Sequence, residues 1–114
     1  MPVTTKVLIP AKTAENSQTT QYTASTVNNT TTIIDKFTAT NFSGSSVTLS
    51  VNLVTRAGTA GNQNLIVKTR TLAAGETYTF PEIVGQVLNS GDFISTIASA
   101  AASVNIRASG REIT

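Results

Sequence analysis

From Val47 to Leu53 the chain alternates apolar and polar residues without a break. A period of two sends Val47, Leu49, Val51 and Leu53 to one face of an extended strand. Thr48, Ser50 and Asn52 go to the other. A strand with one apolar face is stable only when a second layer covers that face, so this heptad constrains the chain to a sheet packed against something. The surrounding composition points the same way. The chain carries 21 threonines and 11 serines among 114 residues, and its charged fraction is only 12%. Threonine is β-branched and soluble, which suits the exposed side of a pleated surface.

Similar segments recur along the chain. Val3 to Ile9 predicts a strand closed by Pro10, because proline removes a ladder donor. Thr32–Asn41, Leu65–Leu72, Thr77–Phe80, Phe93–Ala98 and Val104–Ile113 read as further strands. Glu82 to Leu88 fits either a short strand or a helical turn. Turn signals stand between them: Phe42 to Ser46, Ala73 to Glu76 and Asn89 to Asp92, with the glycine-bearing loop Arg56 to Asn64 before Leu65. Gly110 interrupts the last strand and suggests a bulge. Ala11 to Thr32 is a polar stretch of 22 residues, read either as an extended arm lying on a neighbour or as a polar edge strand at Gln18 to Ser25.

The expected architecture is all-β: a single domain over residues 1–114 forming one antiparallel β-sandwich, Ig-like or jelly-roll-like, of seven or eight strands with a polar N-terminal arm. Two hairpins are expected, Thr32–Asn41 with Val47–Val54 and Phe93–Ala98 with Val104–Ile113. The expected core is Ile33, Phe37, Val47, Leu49, Val51, Leu53, Leu65, Val67, Tyr78, Phe80, Phe93, Ile97, Val104 and Ile106. One residue conflicts with the pattern. Alternation puts Asp35 on the face of Ile33 and Phe37, which requires a partner such as Arg107, Lys36 or backbone amides, or else a local bulge.

Little of the catalytic vocabulary is present. The chain has no histidine and no cysteine, so the common general base, the thiol nucleophile, zinc thiolate sites and disulfides are excluded. Its six carboxylates are Glu15, Asp35, Glu76, Glu82, Asp92 and Glu112, several of them in or beside predicted turns. No phosphate-binding, nucleophile-elbow or EF-hand pattern occurs. The reading is of a protein that is not an enzyme, with no catalytic, cofactor-binding or metal site and no cofactor. Eight Lys and Arg give a net charge of +2 but form no stripe, which excludes nucleic acid as an expected partner. No apolar run spans a membrane, and Met1 to Pro10 lacks a secretory leader, so assembly in the cytosol is expected. The sequons at Asn28, Asn29 and Asn41 are chance matches in a chain rich in threonine and asparagine.

The turns of the C-terminal half carry a resemblance. Leu72-Ala73-Ala74-Gly75-Glu76 leads into Thr77–Phe80, Gly91-Asp92-Phe93-Ile94 opens the next strand, and Ala108-Ser109-Gly110 closes the domain. Over about residues 30–114 this resembles the small immunoglobulin-like β-sandwich accessory proteins of tailed bacteriophage virions. The resemblance implies a structural virion protein that decorates or cements a capsid by bridging major capsid subunits, assembled in the host bacterial cytoplasm. Its implied partners are the major capsid protein or other virion proteins, and a homo-oligomer is expected. The alternatives are a head–tail adaptor or tail component, or a receptor- or glycan-binding module using Tyr22 and Phe42. Contacts are expected at Arg56 to Asn64 and Ala11 to Thr32.

Overall fold

The structure, a computed structural model, describes residues 2–114. Across these residues the alternating segments become β1 (Val3–Thr13), β2 (Thr19–Thr23), β3 (Thr31–Asn41), β4 (Val47–Val54), β5 (Leu65–Leu72), β6 (Thr77–Tyr78), β7 (Val87–Leu88), β8 (Phe93–Ala98) and β9 (Val104–Ile113). They form two antiparallel sheets. One runs β1-β9-β3, with both β6 and β7 pairing the far side of β3; the other runs β2-β8-β4-β5. The first strand therefore lies beside the last. That order is the jelly-roll form of the sandwich. In an immunoglobulin fold the sheets are differently composed, so the immunoglobulin-like alternative does not describe this chain.

Both expected hairpins are instead crossings between sheets. β3 and β4 lie in different sheets, as do β8 and β9, and among the described residues β4 with β5 is the one pair of consecutive strands joined in a ladder. Loop length alone does not distinguish a hairpin from a sandwich corner. The corner after β3 is held by Asn41, which is fully buried. Its Nδ2 donates to the carbonyls of Ser45 (2.7 Å) and Leu72 (2.9 Å), and its Oδ1 accepts from the Ser43 amide and hydroxyl. The sequon at Asn41 is thus internal structure. The two corners also meet, since the Phe42 amide donates to the Ser103 carbonyl.

The core fills the space between the sheets. Leu49, Val51, Ile94 and Ala98 face Ile9, Ile34, Phe37, Ile106 and Ala108, all essentially without exposure. Phe80 closes one end, edge-on to Phe37 (5.2 Å) and Tyr78 (4.8 Å). Ile33, Leu53, Leu65, Tyr78, Phe93 and Ile97, expected in the core, are only partly buried, and Ile34, Leu72, Ile83, Leu88 and Ile94 are buried in addition. The segment Phe93–Ala98 has apolar residues in both phases, and the structure selects Ile94 and Ala98.

Bulges account for the other departures. On β3, Ile34 stands opposite Gly110 and Lys36 opposite Ser109, so Asp35 is an extra residue. The insertion reverses the phase: Ile34 and Phe37 both point inward, and Asp35 turns away from the core. On β1 the register shifts twice, between Val7 and Ile9 and between Ile9 and Lys12. The first shift buries Leu8 and Ile9 consecutively, and the second spans Pro10, so the strand continues past the proline to Thr13. Of the polar stretch from Ala11 to Thr32, β2 is an edge strand paired with β8, within the expected Gln18 to Ser25.

Gly110 lies opposite the Asp35 bulge, and a Cβ there would run into the Ile33 carbonyl oxygen and crowd Leu8. Gly110→Ala is therefore expected to destabilise the protein by about 2–3 kcal/mol, because backbone of β3 must move. Urea unfolding measures this as a lower midpoint at unchanged slope.

Candidate interaction surfaces

The outward side of β4 was expected to be open, and most of it is not. Asn52 is 2% exposed and Ser50 7%. The Asn52 Nδ2 donates to the Gly61 carbonyl (3.0 Å) and to Asn64 Oδ1 (2.7 Å), while its Oδ1 accepts from Gln18 Nε2 (3.4 Å). Gln18 also donates to Ser95 Oγ at 2.8 Å. Asn64 completes the arrangement by accepting from the Gly61 amide and donating to the Thr59 carbonyl. The expected contact loop, Arg56 to Asn64, is thus folded back over its own sheet and pinned by asparagines. Ser50 Oγ accepts from the Thr69 amide (2.8 Å) at a bulge where Thr69 adopts φ +47°. Only Thr48, Thr69, Ile97 and Ser99 remain around an open groove of about 200 Å³ on this face.

Each carboxylate has a partner in the fold. Asp35 meets Arg111 rather than Arg107 or Lys36, with Nε at 3.0 Å and 3.2 Å and Nη2 at 3.1 Å, a two-pronged pair that the phase reversal at Asp35 makes available. Lys6 pairs with Glu112 (3.2 Å) and Lys12 with Glu15 (2.9 Å). Glu76 accepts from the Ala73 amide and Glu82 from the Tyr78 hydroxyl. Asp92 accepts from the Asn89 and Arg56 amides, tying the turn after β7 to the loop after β4. Glu15 also accepts from Gln21 Nε2 (2.8 Å), and this bond, with Lys12 second, holds its carboxyl below the ordinary value. No group of three His, Cys, Asp or Glu side chains that would hold a metal ion occurs among the described residues.

The outer face of the five-stranded sheet is the more open surface. A groove of about 380 Å³ runs between Lys36, Thr38 and Thr40 on β3 and Asn105, Arg107 and Ser109 on β9. Toward the other end of this face, the ladder places Val3 beside Ile113 and Ile33 beside Val87; Val3 and Val87 are 57% and 53% exposed. The two aromatics considered for sugar stacking are not together. Tyr22 is half-buried, its hydroxyl within hydrogen-bond distance of Thr32 Oγ1 (3.1 Å) and Glu112 (3.3 Å). Burial, aided by Glu112, pushes this phenol up from its usual value. Phe42 is exposed but follows the opposite end of β3, about 30 Å along the strand. Arg70 stacks instead on Tyr78, 3.8 Å from the ring centre. No helix among the described residues is long and apolar enough to cross a membrane.

No family model matches the chain. No curated protein matches it in sequence either. Its fold does recur in solved structures. A subunit of the Bacillus endospore appendages, a family of disulfide-linked pili, superposes with a TM-score of 0.53 at 16% identity, over 98% of this chain and 88% of that one. A chain of the T13 infectious bursal disease virus particle gives 0.54 at 13% identity, covering 97% of this chain and 30% of the viral one. The Gx strain of the same virus gives 0.51 at 16%, covering 97% and 32%. The chain thus has nearly the length of the pilus subunit and corresponds to about a third of each viral chain. At these identities the likeness is one of fold.

Two outcomes follow from the polar contacts. Asn52→Ala removes the side chain that anchors the loop and is expected to cost about 1–3 kcal/mol. Hydrogen exchange should show faster exchange of amides from Gly58 to Asn64, with β9 amides little changed. Glu15 has a lowered folded-state pKa, so its contribution to stability is present above the ordinary carboxylate value and is lost as pH falls through the folded-state value. Thermal unfolding of Gln21→Leu, from about pH 6 to about pH 2, should lose less stability on acidification than the parent does.

Proposed function

We propose that the chain is a non-enzymatic structural subunit of a protein particle, and specifically a protein that decorates or cements a bacteriophage capsid by bridging major capsid subunits. The observation that carries the reading is the use of the charged side chains. All six carboxylates serve ladders, turns or ion pairs of the fold, which leaves broad threonine-rich sheet surfaces as the means of acting. The jelly roll is a scaffold that presents such surfaces, and it is shared with a pilus subunit and with viral particle chains. The turns at Leu72 to Glu76 and Gly91 to Ile94, which resemble those of phage accessory proteins, support a place in a virion.

Within it, the groove between β3 and β9 is the surface offered to the shell. Lys36 and Arg107 lie there outside the ion pairs among the described residues, beside Thr38 and the amide of Asn105. Such a donor-rich strip suits acidic or carbonyl-rich loops of a capsid subunit. The disulfide linkage of the spore appendages is not open to a chain without cysteine. Any assembly it enters is held without disulfides.

Purified protein mixed with undecorated phage capsids is expected to co-sediment with them and to add symmetric density to the shell in electron cryomicroscopy. A shell without added density excludes the capsid role. Lys36→Glu together with Arg107→Glu should weaken capsid binding at least tenfold or so, about 1.4 kcal/mol, while leaving the unfolding transition nearly unchanged.

A further inference from the structure

The four edges of the two sheets are not equally protected against pairing with another strand. β5 carries two register shifts against β4, the left-handed Thr69, and the cations Lys68 and Arg70. β2 is five residues long with a shift between Thr20 and Tyr22, and β6 and β7 have two residues each. Bulges, charges and short length are the usual devices that stop an edge from recruiting a further strand. β1 is protected only in its second half, where Leu8, Pro10 and both bulges lie. From Val3 to Val7 it keeps unbroken register with Ile113 to Ser109, and all five residues are exposed.

The direction of its unpaired backbone follows from the ladder. The Thr114 amide donates to the Pro2 carbonyl at 3.2 Å, so Pro2 and Thr114 form a hydrogen-bonded pair. Alternation along an antiparallel ladder then directs Thr4 and Lys6 toward β9, and the N–H and C=O groups of Val3, Thr5 and Val7 away from it. Among the described residues β9 is the only strand beside β1, so these outward groups face the open edge.

We propose that Val3–Val7 pairs antiparallel with the same segment of a second copy, about a two-fold axis at Thr5. In that register Val3 lies opposite Val7, Thr4 opposite Lys6, and Thr5 opposite itself. Each of the pairs Val3–Val7, Thr5–Thr5 and Val7–Val3 exchanges both of its backbone bonds, so every outward group of the segment is used. Moving the axis to Lys6 sets two lysines opposite each other and brings Val3 against Ile9, beyond the Leu8 bulge; moving it to Thr4 leaves Val7 without its valine. The charges also suit the Thr5 register, because each Lys6 keeps its own Glu112 and faces an uncharged threonine. On the outer face Val3 and Val7, 57% and 44% exposed, come together across the junction and continue the apolar row of Ile113. Two five-stranded sheets thereby become one continuous sheet, an isologous contact that closes on itself and does not propagate into a fibre.

The proposal is independent of the capsid reading, since purified protein alone decides it. Sedimentation velocity over a concentration series should show a monomer–dimer equilibrium for the parent chain. Thr5→Glu and Thr5→Lys, each at a solvated position outside the core, place like charges opposite each other and should weaken the dimer about tenfold or more. An equimolar mixture of the two variants should restore it as a heterodimer, because only a register with Thr5 opposite itself brings the new charges together. Circular dichroism confirms that both variants fold. A parent chain that stays monomeric at all concentrations overturns the proposal. So does a variant that dimerises like the parent, or a mixture that associates no better than its components.

Discussion

The placement of β9 between β1 and β3 is the constraint on which the molecule depends. It makes neighbours of residues at opposite ends of the chain, as the ion pair between Lys6 and Glu112 shows at a separation of 106 positions. Among the described residues β1 pairs with no strand but β9, and β3 reaches β1 only through β9, so the five-stranded sheet is complete only once the two ends of the chain have met. Contacts of this range cost loop-closure entropy before burial offsets it, so the fold is of the slowly assembling, highly cooperative kind. The close approach that permits the arrangement is at Gly110, where β9 lies so near the Ile33 carbonyl that no side chain fits.

The bulges translate that topology into surface chemistry. The extra residue at Asp35 carries a carboxylate out of the core to Arg111, and the same phase change buries Ile34 in place of Ile33. On β1 the bulges bury Leu8 and Ile9 together and guard one half of an edge, leaving the other half regular. On β5 a bulge places Thr69 where its amide meets Ser50, closing a hydroxyl into the sheet. Irregularities that alternation treats as noise thus decide which parts of the outside are available for contact.

Much of this was legible in the sequence. β4, β5, β8 and β9 span the residues that alternation and turn chemistry indicate, because a strand half-covered by a second layer must repeat every second residue. The bulge near Gly110 and the unease at Asp35 were both visible, but not that they were one feature, since register between strands 75 residues apart is set by pairing. The partner of Asp35 was misplaced for that reason. The network of Gln18, Asn52, Asn64 and Ser95 left no signal at all. Asparagine and serine on the outward phase of a strand read as solvated until a loop is found lying over them.

By itself, then, the sequence determined that the chain is an all-β sandwich without histidine or thiol chemistry. Period-two burial and residue identity are local properties, and no partner is needed to read them. Only the tertiary structure decided the rest: that the sandwich is a jelly roll, that the expected hairpins are corners between sheets, and that the polar face of Val47–Val54 is covered at Ser50 and Asn52 while one half of β1 is bare. Those outcomes depend on which strands meet and in what register. A period-two pattern fixes which face of a strand is buried, but which strand becomes its neighbour is decided by pairing between segments distant in the chain.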